Sequence, residues 1–218
     1  MNDTLGLLAI MEKLSKRRLI FHSEADFQFA LAWEIQKEYP LADVRLEYPP
    51  ENEPYRYIDI LVGLNGYVYP IELKYPTKKL SAVIGGEQYN LKDHGAQDLG
   101  KYDFIKDLVR IESFASHLKG YKQGYVIWLT NDPSYWTPPR NGTVGYAAFS
   151  VHHGARKTGA MAWGSNLGIG TTKGRERELI LKAEYDIQWS DYSDVGTRAG
   201  LFRFALLSVD TFGNIESV

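Results

Sequence analysis

The sequence predicts one α/β domain in which a mixed central β-sheet is flanked by helices. Three features of the 218-residue chain indicate this class. Helical periodicity comes first, an Asn-Gly turn then joins two apolar strands, and a long helix is followed by further strands. Such an order is typical of a sheet with helices on its faces. We expect a single domain over 1–218, with a core at about 20–130 and a strand-rich C-terminal extension at about 131–218.

The composition is that of an ordinary globular protein, with 44% hydrophobic and 24% charged residues. No segment approaches the roughly 18 consecutive apolar residues that a membrane-spanning helix needs, so we expect no membrane partner. The apolar run Leu5–Met11 is followed by lysines and arginines rather than a cleavage site, so we expect no signal peptide. The absence of cysteine excludes disulfides and cysteine-based zinc sites and favours a cytoplasmic location. The net charge of −2 argues mildly against a protein held on nucleic acid by charge alone.

Two helices are predicted ahead of the first strand. The segment Thr4–Arg18 is amphipathic, with its leucine, isoleucine and methionine side chains on one face. Ser23 is a good N-cap for a second helix, Glu24–Glu38, which Pro40 ends. We expect Trp33 to contribute to the apolar surface of this second helix.

Three strands and a loop are predicted next. Val44–Tyr48 is a short strand, and Tyr57–Leu64 and Tyr67–Tyr75 form a hairpin. The dipeptide between the hairpin strands is Asn65-Gly66, which is strongly preferred in two-residue type I′ turns. The long polar stretch Pro76–Ala96 is expected to be a mobile loop.

The rest of the chain is predicted to contain a long helix and several strands. Leu99–Leu118 has helical periodicity, and Gly124–Thr130 is a continuous apolar run of the buried-strand kind. Gly154–Gly174 is rich in glycine and is expected to be an exposed loop or a wide hairpin turn. Further strands are expected at Gly145–Val151, Lys182–Trp189 and Leu201–Val209.

The Asn-Gly turn fixes the register of the predicted hairpin. Alternate side chains share a face, and one face is wholly apolar: Ile58, Ile60, Val62, Leu64, Tyr67, Tyr69, Ile71 and Leu73. A one-residue slip would turn this face towards solvent, so the register is well specified. The opposite face carries Asp59, Glu72 and Lys74.

This register places two carboxylates directly opposite one another. The Cα atoms of Asp59 and Glu72 are expected about 4.5 Å apart. Like charges in that position destabilise a sheet, and a divalent cation such as Mg²⁺, which prefers carboxylate and water oxygens, would remove the repulsion. Lys74 follows on the same face, so its ammonium group would reach the same point. A solvated hairpin face carries the same residue types, and that alternative stays open.

An acid on the second helix adds to this pattern. Glu24 follows the N-cap on the side of the helix that faces inward. The alternative explanation for an acid at this position is its favourable interaction with the helix dipole. The order of Glu24, Asp59 and Glu72-Leu73-Lys74 resembles the PD-(D/E)xK, or restriction-endonuclease-like, nuclease superfamily. The resemblance covers about half of the chain, from Ser23 to Leu118. Ile58 replaces the proline that often precedes the aspartate.

The resemblance implies a restriction-endonuclease-like α/β/α core with extra C-terminal strands, and a Mg²⁺-dependent nuclease in which Mn²⁺ can substitute. Asp59 and Glu72 would bind the metal with the backbone carbonyl of Leu73, and Glu24 would bind it directly, through water, or hold a second ion. Lys74 would position the attacking water or help to deprotonate it. The expected substrate is nucleic acid, DNA rather than RNA, and the oligomeric state is open, a homodimer included.

Further residues are candidates for a supporting role. Gln97 and Tyr102 look similar to a glutamine and a tyrosine of some relatives, but their spacing is not that of the exonuclease branch. Asp98, Asp103 and Asp107 are expected on a solvated helix face. The basic residues expected to contact nucleic acid are Lys78, Lys79, Arg156, Lys157, Lys173 and Arg175.

Two other functions are compatible with the same sequence. One is a nuclease-like fold that no longer cuts and instead binds nucleic acid or protein. The other is an unrelated α/β protein whose hairpin acids are simply exposed. Coordinates with Asp59 and Glu72 on opposite faces would favour the latter.

Overall fold

A computed structural model of the chain describes residues 4–51, 55–139, 145–165, Leu167 and 172–211. Its helices are α1 (Leu7–Arg17), α2 (Glu24–Glu38), α3 (Gln97–His117) and the one-turn α4 (Pro133–Trp136), with a 3₁₀ turn at Ala147–Phe149. Its strands are β1 (Asp43–Tyr48), β2 (Ile58–Leu64), β3 (Tyr67–Lys74), β4 (Leu80–Ile84), β5 (Glu87–Leu91), β6 (Gln123–Thr130), β7 (Arg156–Met161), β8 (Leu179–Asp186), β9 (Trp189–Asp194) and β10 (Leu201–Asp210).

A six-stranded sheet in the order β1-β2-β3-β6-β10-β9 forms the centre of the described chain. Neighbouring strands are antiparallel except β3 and β6, which are parallel, so the predicted mixed sheet is confirmed. The strand-rich C-terminal extension supplies β9 and β10 to this sheet. Two smaller antiparallel pairs, β4–β5 and β7–β8, lie outside it.

Helices cover the central sheet on both faces. On one face, α1 and α2 pack on the sheet through a core that includes Phe27, Leu31 and Ile71. On the other face, α3 and the β7–β8 pair pack on it through a second core that includes Phe104 and Trp128. The arrangement therefore has helices, sheet and helix in successive layers, as the sequence predicts. No described helix combines the length and the apolar character that crossing a bilayer requires.

The predicted hairpin register is confirmed over five rows of β2 and β3, from Leu64–Tyr67 to Ile60–Ile71. Asn65 and Gly66 have φ values of 52° and 80°, as a type I′ turn needs. The apolar face packs against α1 and α2, and the other face lies beneath α3. The ladder ends at Ile60–Ile71, so it does not contain the row of Asp59 opposite Glu72 that the sequence predicts.

Strand β2 is irregular at Asp59. Ile60 contributes to the core beneath α1 and α2, whereas Ile58 contributes to the core beneath α3, so the alternation of side chains breaks between them. On the neighbouring strand, Glu47 has a left-handed φ of 50° and falls between the paired rows Leu46–Ile60 and Tyr48–Ile58. The prediction that Ile58 shares a face with Ile60 is therefore wrong, because it assumed an uninterrupted strand.

Several predicted segments have different structures. Pro76–Ala96 contains the hairpin β4–β5 rather than only a loop, and buried Leu80 and Tyr89 attach this hairpin to the core. Gly145–Val151 contains the 3₁₀ turn rather than the predicted strand. Gly154–Gly174 contains β7, which pairs with β8, although part of that segment lies outside the described residues.

The second helix begins and ends at the predicted residues. The hydroxyl of Ser23 accepts a hydrogen bond from the backbone N–H of Asp26 at 3.2 Å, so the predicted N-cap is formed. Trp33 is 66% exposed, which contradicts its predicted inward position. Helical spacing explains the difference, because Leu31 and Ile35 already fill the face towards the sheet.

Packing of α3 on β6 predicts the effect of a small substitution. A Cβ atom added at Gly124 would lie 2.3 Å from Cγ2 of Ile111 and 2.8 Å from the hydroxyl of Tyr121. We expect Gly124→Ala to lower the free energy of unfolding by about 1–3 kcal/mol, because the neighbours must shift. Urea unfolding measures the change. Gly95→Ala is the control, since a Cβ there meets nothing within 4 Å, and equal losses in both variants would contradict this packing.

Candidate active site

The four predicted catalytic residues lie together at one end of the central sheet. Asp59 is at the irregular point of β2, while Glu72 and Lys74 are near the end of β3. Glu24 is in the first turn of α2, and its Oε2 accepts a hydrogen bond from the backbone N–H of Tyr75 at 2.7 Å. The acid from the helix therefore approaches the sheet where β3 ends.

Both the carboxylate and the backbone carbonyl of Asp59 accept hydrogen bonds. Its Oδ2 accepts a hydrogen bond from the N–H of Leu73 at 2.6 Å, across the gap where the β2–β3 ladder stops. Its backbone carbonyl accepts one from the side-chain amide of Gln28 at 2.7 Å, and the same amide group donates to Glu47 at 2.7 Å. Burial raises the pKa of Asp59 to about 6, against the opposing effects of the Leu73 N–H and the Lys74 charge.

Glu72 is buried, with only 3% of its surface exposed. Its Oε1 accepts a hydrogen bond from Nη1 of Arg110 on α3 at 2.7 Å, and the guanidinium also donates to the carbonyls of Arg56 and Tyr57 at 2.8 Å. Burial raises the pKa of Glu72 well above its ordinary value, and the neighbouring carboxylates of Asp107 and Asp59 raise it further. The charges of Arg110 and Lys74 oppose that rise.

Lys74 forms an ion pair with a residue of α3. Its Nζ lies 2.7 Å from Oδ2 of Asp107 and donates a hydrogen bond to the carbonyl of Leu73 at 3.0 Å. Burial by itself would lower the pKa of Lys74, but the carboxylates of Asp107 and Glu24 outweigh burial and raise the pKa above its ordinary value. This raised pKa favours a role for the amine in positioning water or phosphate over acceptance of a proton.

Asp107 and Arg110 are site residues that the sequence analysis missed. The prediction that Asp107 lies on a solvated face is wrong, because its Oδ2 is sealed from solvent beside Lys74. Burial raises the pKa of this carboxyl. A signal was present in the sequence: Asp107 follows Phe104 by three residues and precedes Ile111 by four, and both of those side chains are buried on the inward face of α3.

Acids outnumber bases at this end of the sheet. With all of the groups ionised, the site has a net charge of −2 from four carboxylates and two cations: Glu24, Asp59, Glu72, Asp107, Lys74 and Arg110. Mutual repulsion of the carboxylates contributes to the raised pKa values of Asp59 and Glu72. A bound divalent cation would balance this charge.

The donor chemistry of the site fits Mg²⁺. No three His, Cys, Asp or Glu side chains of the described residues are arranged around one metal position. Mg²⁺ does not require three such side chains, since proteins commonly hold it through one or two carboxylates together with water and substrate phosphate oxygens. Asp59, Glu72 and Glu24 each use one carboxylate oxygen in a hydrogen bond within the described chain and keep the other oxygen out of such bonds.

A cleft of about 560 Å³ opens beside Glu24 and Lys74. Its lining includes Thr77 and His94 from the segment after β3, and Asp103 from α3. The cleft therefore gives access to Glu24 and Lys74 from this side.

The two predicted accessory residues lie elsewhere. The side-chain amide of Gln97 donates to Asp132 at 3.1 Å. The hydroxyl of Tyr102 donates to the carbonyl of Arg177 at 2.9 Å, and its ring stacks on that of Trp163. Within the described residues neither side chain forms a hydrogen bond with the four predicted catalytic residues, so these bonds do not support the accessory role.

Most of the basic residues predicted to contact nucleic acid have other partners. Lys157 is only 7% exposed and donates to the carbonyl of Ala148, so the prediction that it contacts a ligand at the surface is wrong. Burial lowers the pKa of this lysine to about 8. The guanidinium of Arg175 makes two hydrogen bonds, of 2.6 and 2.8 Å, to Asp103, which is therefore not simply solvated.

The remaining predicted contacts are at the surface. Arg156 forms ion pairs with Glu184 and Asp186 at 3.2 and 3.1 Å. Lys78 lies 3.3 Å from Asp93 and 3.6 Å from Asp132. The predicted contacts Lys79 and Lys173 are both exposed.

The chain matches no protein-family model, and no curated protein or solved structure is similar enough to count as a match. A function for this chain is therefore argued from the chemistry of the site itself.

The raised pKa of Asp59 predicts a dependence of stability on pH. Its folded-state pKa is about 6 against an ordinary 3.8, so between these values the folded protein holds a proton that the unfolded chain releases. Stability from this group is therefore lost as pH rises through that window. We expect Asp59→Asn, which stays neutral, to be more stable than wild type at pH 7 by on the order of 1–2 kcal/mol.

Urea unfolding in EDTA at a series of pH values from 4 to 7 measures this difference. The advantage of Asp59→Asn should shrink towards pH 4. Asp43→Asn, in which the lost carboxylate is exposed and paired with Arg45, is the control and should show no gain. A difference between Asp59→Asn and wild type that does not change with pH would contradict the assignment.

Proposed function

We propose that the protein is a metal-dependent nuclease that hydrolyses phosphodiester bonds of DNA, with Mg²⁺ as its metal and Mn²⁺ as a substitute. The observation that carries the proposal is that four carboxyl groups, those of Glu24, Asp59, Glu72 and Asp107, surround Lys74 in a largely buried site. Buried carboxylates without matching cations reduce stability, and such groups concentrate where they have a chemical task. The resemblance to the PD-(D/E)xK nucleases supports the same conclusion.

In this proposal Asp59 and Glu72 hold the metal, the carbonyl of Leu73 is a further ligand, and Glu24 binds directly or through water. The metal, when bound, lowers the pKa of a coordinated water and polarises the phosphate. Lys74 orients the attacking water and offsets negative charge on the phosphate. Asp107 keeps this amine protonated and directed towards the site.

Other residues of the chain support this chemistry by fixing positions. Gln28 and the N–H of Leu73 hold Asp59 at the point where β2 and β3 separate. Arg110 binds one oxygen of Glu72 and leaves the other for the metal. A cytoplasmic location belongs to the same proposal, because a chain without cysteine has no need of an oxidising compartment.

A specific contact also favours a second candidate, a nuclease-like module that binds nucleic acid or protein without cutting. The guanidinium of Arg110 provides Glu72 with a protein cation in place of a metal. Metal binding therefore distinguishes the second candidate from the first.

The nuclease proposal predicts metal-dependent cleavage. Plasmid and labelled oligonucleotide DNA incubated with the protein and Mg²⁺ or Mn²⁺ should be cut, and EDTA should stop the reaction. We expect Asp59→Asn and Lys74→Ala to reduce the rate by roughly 10² or more, because each removes a group in contact with the reacting atoms. Lys16→Ala, an exposed lysine on α1, is the control and should cut like wild type. Equal rates for wild type and Lys74→Ala, or no cutting with any metal, would overturn the proposal.

Calorimetric titration with Mn²⁺ separates the two candidates. For the nuclease we expect binding that Asp59→Asn weakens by about tenfold or more, since loss of one metal ligand removes at least ~1.4 kcal/mol of binding free energy. Asp43→Asn should bind like wild type. Binding that Asp59→Asn leaves unchanged would instead favour the module.

A further inference from the structure

A second cleft of about 730 Å³ lies between α3 and the beginning of β8. It is separate from the cleft beside Glu24 and Lys74, and the two are lined by different residues. Five cationic side chains contribute to its lining: Arg56, Lys106, Arg110, Arg177 and Lys182. We refer to this cleft as the basic groove.

The lining of the basic groove has more cationic than acidic side chains. Glu112 is one of its acids, and its carboxylate accepts hydrogen bonds from the N–H groups of Lys182 and Ala183 and from the hydroxyl of Tyr185. Glu178 is the other acid of the lining. The chain as a whole has a net charge of −2, so a cluster of five cations is a local feature rather than a result of composition.

Two of these cations, Lys106 and Arg177, have no carboxylate within ion-pair distance in the described part of the chain. Arg156 and Arg175, two of the basic residues that the sequence predicts to contact nucleic acid, are instead paired with acids. Unpaired cations in a concave surface with low-dielectric walls create a strong local positive potential, which attracts anionic ligands.

The basic groove is joined to the candidate active site through one side chain. Arg110 lines the groove and also donates its 2.7 Å hydrogen bond to Glu72. Lys106 precedes Arg110 by one helical turn, so the two side chains lie side by side along α3. An extended anion in the groove that contacts Lys106 therefore has its next contact beside Glu72.

We propose that the basic groove binds the sugar–phosphate backbone of the nucleic acid and directs it to Glu72. This inference rests on the proposed function, because it assigns the binding surface of that same site. A chain of regularly spaced phosphates is the ligand that matches a row of cations, and phosphate contacts supply most of the affinity without reading sequence. Ile180, which is 57% exposed in the lining, provides an apolar contact for a sugar or a base.

Fluorescence anisotropy with a labelled oligonucleotide tests the assignment. The full chain is titrated in EDTA, so that cleavage does not contribute, against a single-stranded DNA and against its duplex. The variant is the double substitution Lys106→Gln/Arg177→Gln, and circular dichroism checks that it is folded. We expect at least a tenfold loss of affinity for one or both DNA forms, and a salt dependence reduced by roughly two phosphate contacts.

The control changes the same net charge elsewhere on the molecule. Lys16→Gln/Lys119→Gln removes two exposed lysines that lie outside the groove and should retain the wild-type affinity. Unchanged affinity in Lys106→Gln/Arg177→Gln, an equal loss in the control, or no binding of either DNA by wild type overturns the inference.

Cleavage of the same two DNA molecules with Mg²⁺ is measured separately, so that the two proposals can fail independently. Groove-dependent binding without cleavage supports the groove and contradicts the nuclease. Cleavage by wild type with unchanged binding in Lys106→Gln/Arg177→Gln upholds the nuclease and overturns the groove.

Discussion

The register of the β2–β3 hairpin determines where every residue of the candidate site lies. Both faces of the hairpin are buried, one beneath α1 and α2 and the other beneath α3, so a shift by one residue would bury the charged set in the wrong layer. Within this register the ladder stops at Ile60–Ile71, and the N–H of Leu73 bonds the carboxylate of Asp59 instead of a strand partner. Asp59 therefore lies where the two strands separate, close enough to Glu24, Glu72 and Lys74 for their charges to interact.

Where β2 and β3 separate, hydrogen bonds and an ion pair hold the charged side chains in place against the mutual repulsion of the carboxylates. Burial raises the pKa values of Asp59 and Glu72, and repulsion from the neighbouring carboxylates raises them further. Contacts from both helical layers hold these residues in place: Gln28 from α2 on one side, and Arg110 and Asp107 from α3 on the other. Because these contacts come from both helical layers, the site forms only when the helices on both faces are packed on the sheet.

Several elements of the fold around the site could be predicted from short stretches of the sequence. The Asn-Gly turn, the N-cap Ser23 and the alternation of apolar residues in the hairpin are short-range signals, and the elements that they predict are present. Features that depend on distant parts of the chain were not accessible in the same way. The irregularity at Asp59 involves Glu47 on another strand, and the burial of Lys157 depends on the turn that contains Ala148.

Asp107 and Arg110 show a different limit of such reasoning. Their spacing along α3 predicts that they lie on its inward face. Their role cannot be predicted until the residues packed against that face are known. Only the pairing of α3 with the end of β3 gives them partners, Lys74 and Glu72. Contacts between distant side chains are therefore harder to predict from this sequence than the positions of its helices and strands.

The position of β10 between β6 and β9 has a consequence for synthesis of the chain. All of the candidate catalytic groups, from Glu24 to Arg110, emerge from the ribosome long before residues 201–210 do. Until then one side of β6 is an open, apolar strand edge, the kind of surface that invites pairing with other chains. Strand β10 follows all of these groups in the chain and closes that edge from within the sheet, so the scaffold of the site is complete only after residues 201–210 have been synthesised.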